Sequence, residues 1–441
     1  MYTYKSDISP FIERRKRLLS EIDDGIIILP AGDISKANNG SEYPFTQHPN
    51  FYYLTGFLEP EATLVLRKQN GNLQSIMFLR PKNPASEKWT GKCLGTKKAP
   101  GLLGVDKAYP IGEFDKRIGT LLKGMPRLYI EQFRTHKNIA TALQKCSSLM
   151  SINSSQTLLP QTTINLGFIL SRMRLVKDSD EIAAIRDALA ITSETYRNVM
   201  STCEQGMNEG DIQAILERGF RLSGGAGPAY PSIVAYGENA TVLHYVDNNA
   251  TMKKNKLLLI DAAAAYQGLA SDITRTIPVS GTFSTEQKDI YEVVLLALKA
   301  ACSASKPGST LQDIDTAAKK VLTKGLLKLG ILNGDIKTLL KNKAVSKYCP
   351  HGTSHWLGLA VHDNCIAVKS DGTPVKLAPG MIFTVEPGLY FDSDDTTVPH
   401  KYRGIGIRIE DDILITESGH ENLSSDIPRE IEDIEALCST E

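Results

Sequence analysis

Four carboxylates stand where an isolated charge is costly. Asp261 ends the run Leu-Leu-Leu-Ile-Asp, and Asp272 opens Asp-Ile-Thr-Arg-Thr. Glu386 ends Ile-Phe-Thr-Val-Glu, and Glu410 interrupts an apolar run over Ile405–Thr416. Segments this apolar and β-prone read as buried strands. An unpaired carboxylate in such a strand is expensive to ionise. Shared cations are one compensation that could reach all four.

The first pair suggests how the sharing works. A turn near Tyr266-Gln267-Gly268 makes an antiparallel hairpin and predicts Asp261 directly opposite Asp272. Facing side chains in such a pair lie ~5 Å apart. Like charges at that distance repel unless a cation lies between them. In Arg403-Gly-Ile-Gly-Ile-Arg-Ile-Glu410, alternation places Arg408 and Glu410 on one face. A plain surface ion pair there would contribute little. Gly404 and Gly406 permit close approach of a backbone or ligand.

Three of the eight histidines, His351, His355 and His362, fall within twelve residues. One such histidine would read as structural; three beside four strand carboxylates read as a site. The spacing is not the zinc-peptidase His-Glu-x-x-His, since Gly352 and Thr353 stand between the first two. Gly352 also argues against a regular helix. A Ser-His-Asp triad stays open on residue types alone, although no Gly-x-Ser-x-Gly elbow occurs. Oxygen-rich ligands with one imidazole suit Mn²⁺, Mg²⁺ or a similar ion. Two bridging carboxylates imply two ions, ~3.5–4 Å apart in such sites.

Composition narrows the setting. Lys+Arg and Asp+Glu both number 50, so the formal charge is zero and gives no overall case for nucleic acid. With 41 % hydrophobic and 23 % charged residues the chain reads as globular. No apolar run approaches the ~20 residues that span a bilayer. Met1–Asp7 lacks a basic-then-apolar signal segment. Seven scattered cysteines without Cys-x-x-Cys read as reduced, mostly buried thiols. A cytoplasmic protein without nucleic-acid or membrane partners is the expectation.

A length of 441 residues suggests two or three domains at ~150 residues each. Ile26–Leu29, Ala62–Leu66 and Ser75–Leu79 read as strands, 81–84 and 97–101 as loops. Phe11–Leu19 reads as a helix with its basic run facing solvent. Asp178 with Glu181, and Ser284 with Gln287, read as capping boxes opening long helices. Leu257–Asp261, Ile382–Glu386 and Ile405–Thr416 read as strands between them, an α+β pattern. Ser171–Lys177 is the expected boundary, giving domains 1–174 and 175–441.

Taken together, the motifs resemble the pita-bread metallopeptidases, in their bacterial-type Xaa-Pro aminopeptidase (aminopeptidase P) branch. The resemblance rests on Ser41-Glu-Tyr-Pro-Phe, Asn50-Phe-Tyr-Tyr-Leu-Thr-Gly-Phe and Glu87-Lys-Trp-Thr-Gly in the first part. In the second it rests on Gly237-Glu-Asn, His244-Tyr, Ser271-Asp-Ile-Thr-Arg-Thr, His351-Gly-x-Ser-His-Trp-Leu-Gly, Val385-Glu-Pro-Gly-Leu-Tyr and Arg403–Asp412. It implies a curved sheet backed by helices, with a smaller α/β N-terminal domain, assembled as dimers or tetramers.

By the same resemblance, Asp261, Asp272, His355, Glu386 and Glu410 hold two divalent ions, with Mn²⁺ first choice. Asp272 and Glu410 bridge them. Glu386 shuttles a proton, His244 and His362 meet the substrate or its oxyanion, and Arg408 joins the catalytic set. His351, Tyr390 and Trp89 bind around the proline. The implied reaction releases the first residue from peptides with proline second, through a metal-bridging hydroxide. Ala263, Ala360, Asn364 and Cys365 depart from the family pattern without removing a ligand. They bear on the loop carrying His362. A prolidase acting on dipeptides is the near alternative; a metal-free binding module or creatinase-type hydrolase is disfavoured by the full ligand set.

Overall fold

Ile26 to Leu29 are all fully buried, and the strand they form, Gly25–Pro30, lies inside a six-stranded mixed sheet. Burial on both faces is why the segment reads as one continuous apolar run. The structure, a computed structural model, describes residues 7–152 and 158–439. The first six positions, on which the signal-segment reading rests, lie outside the described residues. The chain divides into two compact units, up to Met173 and from Arg174.

In the first unit the sheet order is Lys107–Pro110, Asn72–Leu79, Thr63–Gln69, Gly25–Pro30, Arg127–Ile130, Thr162–Asn165. Thr63–Gln69 and Asn72–Leu79 run longer than read, because Asn70-Gly71 makes a two-residue turn with both φ positive (49° and 79°). The helix Ser9–Glu21 corrects the solvated reading of the basic run. Arg14 and Arg15 are buried; Lys16 and Arg17 stay exposed. Arg15 donates to the carbonyls of Leu54 (2.7 Å), Leu103 (2.9 Å) and Gly104 (2.7 Å). These lie at the ends of helices Pro49–Thr55 and Ala99–Leu103, where carbonyls lack helical partners. The second of these helices also replaces the loop expected at 97–101.

The second unit is α+β, as expected. Asp261 ends one of its short paired strands and Asp272, Glu386 and Glu410 lie just outside others, with Ser179–Thr202, Glu209–Leu222, Thr285–Ala304 and Leu311–Lys328 as its long helices. Tyr196, Ile260, Ile277, Tyr291, Val294 and Phe383 are fully or nearly fully buried in its core. The capping boxes at Asp178/Glu181 and Ser284/Gln287 are both formed. Asp178→Ala is expected to cost about 1 kcal/mol, measured as a lower urea midpoint with unchanged slope. Among the described residues, no helix is long and apolar enough to cross a membrane.

Two strand readings need correction. Ile405–Thr416 is not one strand but Gly406–Arg408 and Asp411–Ile415, which pair with Gly388–Tyr390 and Ile382–Val385. Pro387 has no N–H with which to continue the ladder. The register holds across the break: Val385 faces Asp411 on one side and Gly388 faces Arg408 on the other. Glu386 and Glu410 therefore occupy opposing positions in the gap. The hairpin register also differs. The turn is Gln267-Gly268, with φ of 49° and 82°, so Asp261 faces Thr274 rather than Asp272. A two-residue shift keeps side chains on the same face, so both aspartates still point the same way.

Candidate metal centre

The breaks in these strands bring the acids together. Asp272 lies just before Thr274–Pro278, and its N–H donates to Asp412 Oδ2 (3.1 Å) instead of a ladder partner. Asp272 Oδ2 lies 3.3 Å from His355 Nε2, which lies 3.5 Å from Glu386 Oε1. Ligand atoms of Asp272, His355 and Glu410 all lie within 4.8 Å of one another. Glu410 Oε2 accepts from Thr274 Oγ1 at 2.7 Å. Asp261 Oδ2 accepts from Arg408 Nη2 at 2.6 Å, and its Oδ1 is buried without a hydrogen bond. Arg408 thus pairs with Asp261, not with Glu410 two residues on.

All four carboxylates, His244, His351, His355, His362 and Arg408 line one cavity of about 590 Å³. His355 sits on an irregular segment, as Gly352 suggested, with its N–H donating to Thr384 Oγ1. The His362 ring lies 4.2 Å, centroid to centroid, from that of His355. Tyr390 stands behind the wall. It is buried, and its hydroxyl lies 2.9 Å from His351 Nε2 and accepts from Arg408 Nη1 at 3.0 Å. Trp89 belongs to the first unit, in helix Pro84–Thr90, and is 91 % exposed. Gly406 allows the close approach read for it: a Cβ there would collide with the Ala240 carbonyl oxygen.

The electrostatics show a surplus of negative charge. Burial pushes the Glu386 carboxyl up to about 7, against the pull of His355 and Arg408. Burial raises Glu410 well above the carboxylate range, and Asp272, Glu386 and Asp261 add to it. Asp261 is raised by burial, opposed by Arg408. Burial works against a charged His355, yet Asp272 and Glu386 outweigh it and hold the imidazolium up to about 9. Burial lowers His351 to about 4. One guanidinium and one imidazolium face four carboxylates, with a buried acceptor left over. Hard divalent cations fit that donor set.

Several contributors escaped the sequence reading. Asp412 is fully buried and takes the Asp272 N–H; its signal was present, since Asp411 and Asp412 extend the acidic interruption begun by Glu410. Tyr230 lines the cavity with Asp261 and its hydroxyl accepts from Ile273 N at 3.4 Å, but nothing around it in sequence marks it. Arg275 is fully buried and donates to the carbonyls of Thr274 and Glu410 and to Asp411. It ties together the two segments that carry Asp272 and Glu410.

The chain is similar to known proteins along nearly its whole length. Residues 183–417 match metallopeptidase family M24, and residues 11–129 match the aminopeptidase P N-terminal domain. The chain is 39 % identical to the Xaa-Pro aminopeptidase of Escherichia coli (strain K12), covering 97 % of each chain. It is 38 % identical to that of Haemophilus influenzae, covering 99 % of each. Among solved structures, aminopeptidase PepP of Pseudomonas aeruginosa superposes with a TM-score of 0.96 at 37 % identity over 99 % of both chains.

Proposed function

We infer the activity from one premise: the chain belongs to metallopeptidase family M24 and carries the aminopeptidase P N-terminal domain. It is a metal-dependent exopeptidase that hydrolyses the N-terminal Xaa-Pro bond and releases the first residue. The observation that carries this reading is the meeting of four carboxylates and His355 in one cavity with three further histidines and Arg408.

Asp261, Asp272, His355, Glu386 and Glu410 would hold two divalent ions, with Asp272 and Glu410 shared. Bound ions of this kind polarise a carbonyl and lower the pKa of a water. The chain's own residues do the rest. Glu386 carries a proton to the departing proline nitrogen. His362 and His244 donate to the developing oxyanion, where fixed donors contribute most. His351 and Arg408, steadied by the Tyr390 hydroxyl, shape the wall around the proline. Trp89, exposed in the first unit, is assigned to the pocket of a neighbouring subunit. Proline needs a dedicated enzyme because its nitrogen carries no N–H and its bond is stiff. Peptidases that align substrates through backbone hydrogen bonds lose a donor there.

The oxygen-rich donor set favours Mn²⁺ as the working ion. Seven free cysteines support a reducing, cytoplasmic setting. The likeness to aminopeptidase P supports a homodimer or homotetramer. The domain limits 1–174 and 175–441 complete the proposal.

The test compares an Xaa-Pro-Yaa tripeptide with an Xaa-Pro dipeptide, each with Mn²⁺ and with a chelator. Metal-dependent release of the first residue from the tripeptide, with the dipeptide poor, is expected. Preference for the dipeptide would make the chain a prolidase. Turnover undiminished by the chelator would remove the metal from the mechanism.

A further inference from the structure

Glu209 is fully buried at the first turn of helix Glu209–Leu222, outside the cavity. Its Oε1 accepts from Tyr236 N (2.6 Å) and Asn239 Nδ2 (2.9 Å). Its Oε2 accepts from Tyr245 Oη (2.9 Å) and Ala250 N (2.8 Å). All four donors are neutral, and all lie between positions 236 and 250. That segment carries His244. Two donors precede the histidine, one is its immediate neighbour and one follows.

The other holds on this stretch sit mostly at its ends: Tyr236 pairs with Leu258, Asn208 Nδ2 donates to Asn249 O (2.8 Å), and Ala240, Leu243 and Tyr245 rest on a small apolar cluster. Gly237–Thr241 is a single 3₁₀ turn, and the chain has no regular structure from there to Ala250. Asn248 supplies one more anchor, donating to Gln213 Oε1 and Ser232 O and accepting from Val234 N. His244 is exposed in the cavity wall and, among the described residues, makes no hydrogen bond of its own. Its position is therefore set by the backbone that Glu209 clasps.

We propose that Glu209 is a positioning residue: its buried carboxylate holds the 236–250 segment so that His244 meets the reacting carbonyl. This rests on the role assigned to His244 above. The carboxylate is suited to the task because it only accepts, and two oxygens serve four donors with none repelled. A charge-assisted bond to each is stronger than a neutral one, and the helix N-terminus on which it sits favours the negative charge.

Glu209→Gln keeps the shape but turns one oxygen into an NH₂ that opposes two donors. The expected result is a kcat lowered about 10- to 100-fold, up to what a ~1 Å misplacement of a reacting group costs, with KM and bound metal unchanged. Tyr245→Phe removes a single bond beside His244 and should show the same pattern at smaller size, which keeps the test available should Glu209→Gln not fold. The deciding measurement is the cycle with His244→Ala, since residues acting as one unit are not additive. Once His244 is absent, Glu209→Gln and Tyr245→Phe should have no further effect on kcat. Equal losses with and without His244, or normal kcat in folded Glu209→Gln, would overturn the positioning role. Full activity in His244→Ala alone would sink the role of His244 itself, a separate failure.

Discussion

Glu386→Gln is expected to lower kcat on an Xaa-Pro-Yaa tripeptide by about 100- to 10,000-fold, the span of a lost general acid–base step. The far-ultraviolet circular dichroism should not change. The side chain is placed for proton traffic. Among the carboxylates of the cluster, Glu386 is 18 % exposed, against 14 % for Asp261 and 6 % for Asp272. It therefore reaches the cavity while keeping contact with His355 at 3.5 Å and His351 at 3.7 Å. Without metal, burial lifts its carboxyl to about 7; cations held beside it would favour the charged form, ready to take up a proton. Gln retains the volume and one oxygen but cannot carry the proton. Single-turnover kinetics with metal content measured in parallel would check this. A variant that keeps its metal and turns over at near the wild-type rate would remove Glu386 from proton transfer.

How far the sequence reached depends on the range of the interactions involved. Asp178 with Glu181 and Ser284 with Gln287 act over three residues, so their capping boxes were legible. The strand Leu257–Asp261 was legible because its burial is uniform and its last residue is the acid. Asn70-Gly71 carried a local hairpin signal that a reading based on apolar content alone passed over. The polar residues Arg67 to Gln69 belong to the strand although they carry no hydrophobic pattern.

Longer-range effects were less visible. The turn at Gln267-Gly268 moved Asp261 opposite Thr274, yet the grouping of Asp261 with Asp272 survived, since a shift of two preserves the face. A shift of one would have sent the second carboxylate to the other side. Arg14 and Arg15 were read as solvated because an arginine's partners are chosen by tertiary contact; here they are carbonyls 39 to 89 residues away. Glu209 is the extreme case. Its donors include two backbone N–H groups, which every residue but proline possesses, so no residue type advertises the arrangement.

Glu410→Gln should abolish activity and weaken metal binding by at least ~100-fold, since even residues outside the ligand shell cost 10- to 100-fold. The same change should stabilise the protein once metal is removed. Glu410 is 2 % exposed, faces Glu386 across the strand gap and shares the cavity with Asp272 and Asp261. Thr274 Oγ1 is its close donor at 2.7 Å, and a Gln carbonyl can keep that bond. Burial and then the neighbouring carboxylates raise its folded pKa well above the ordinary range. A carboxyl raised in this way binds more protons folded than unfolded between its unfolded value, near 4.3, and its raised folded value. Stability of the metal-free protein is therefore lost as pH rises through that interval. The neutral side chain removes this group's share of the slope. In chelator at pH 7.5, Glu410→Gln should be more stable than the wild type by about 1–3 kcal/mol, the cost of an uncompensated buried polar group. At pH 4 the gap should close. Added Mn²⁺ should reverse the order, because only the wild type converts its clustered charge into ligand binding. Urea unfolding of both proteins, with chelator and with Mn²⁺ at each pH, measures all of these. A chelated variant less stable than chelated wild type at pH 7.5 would mean that Glu410 is held by the fold for packing, and that the charge cluster is not where metal binding draws its free energy.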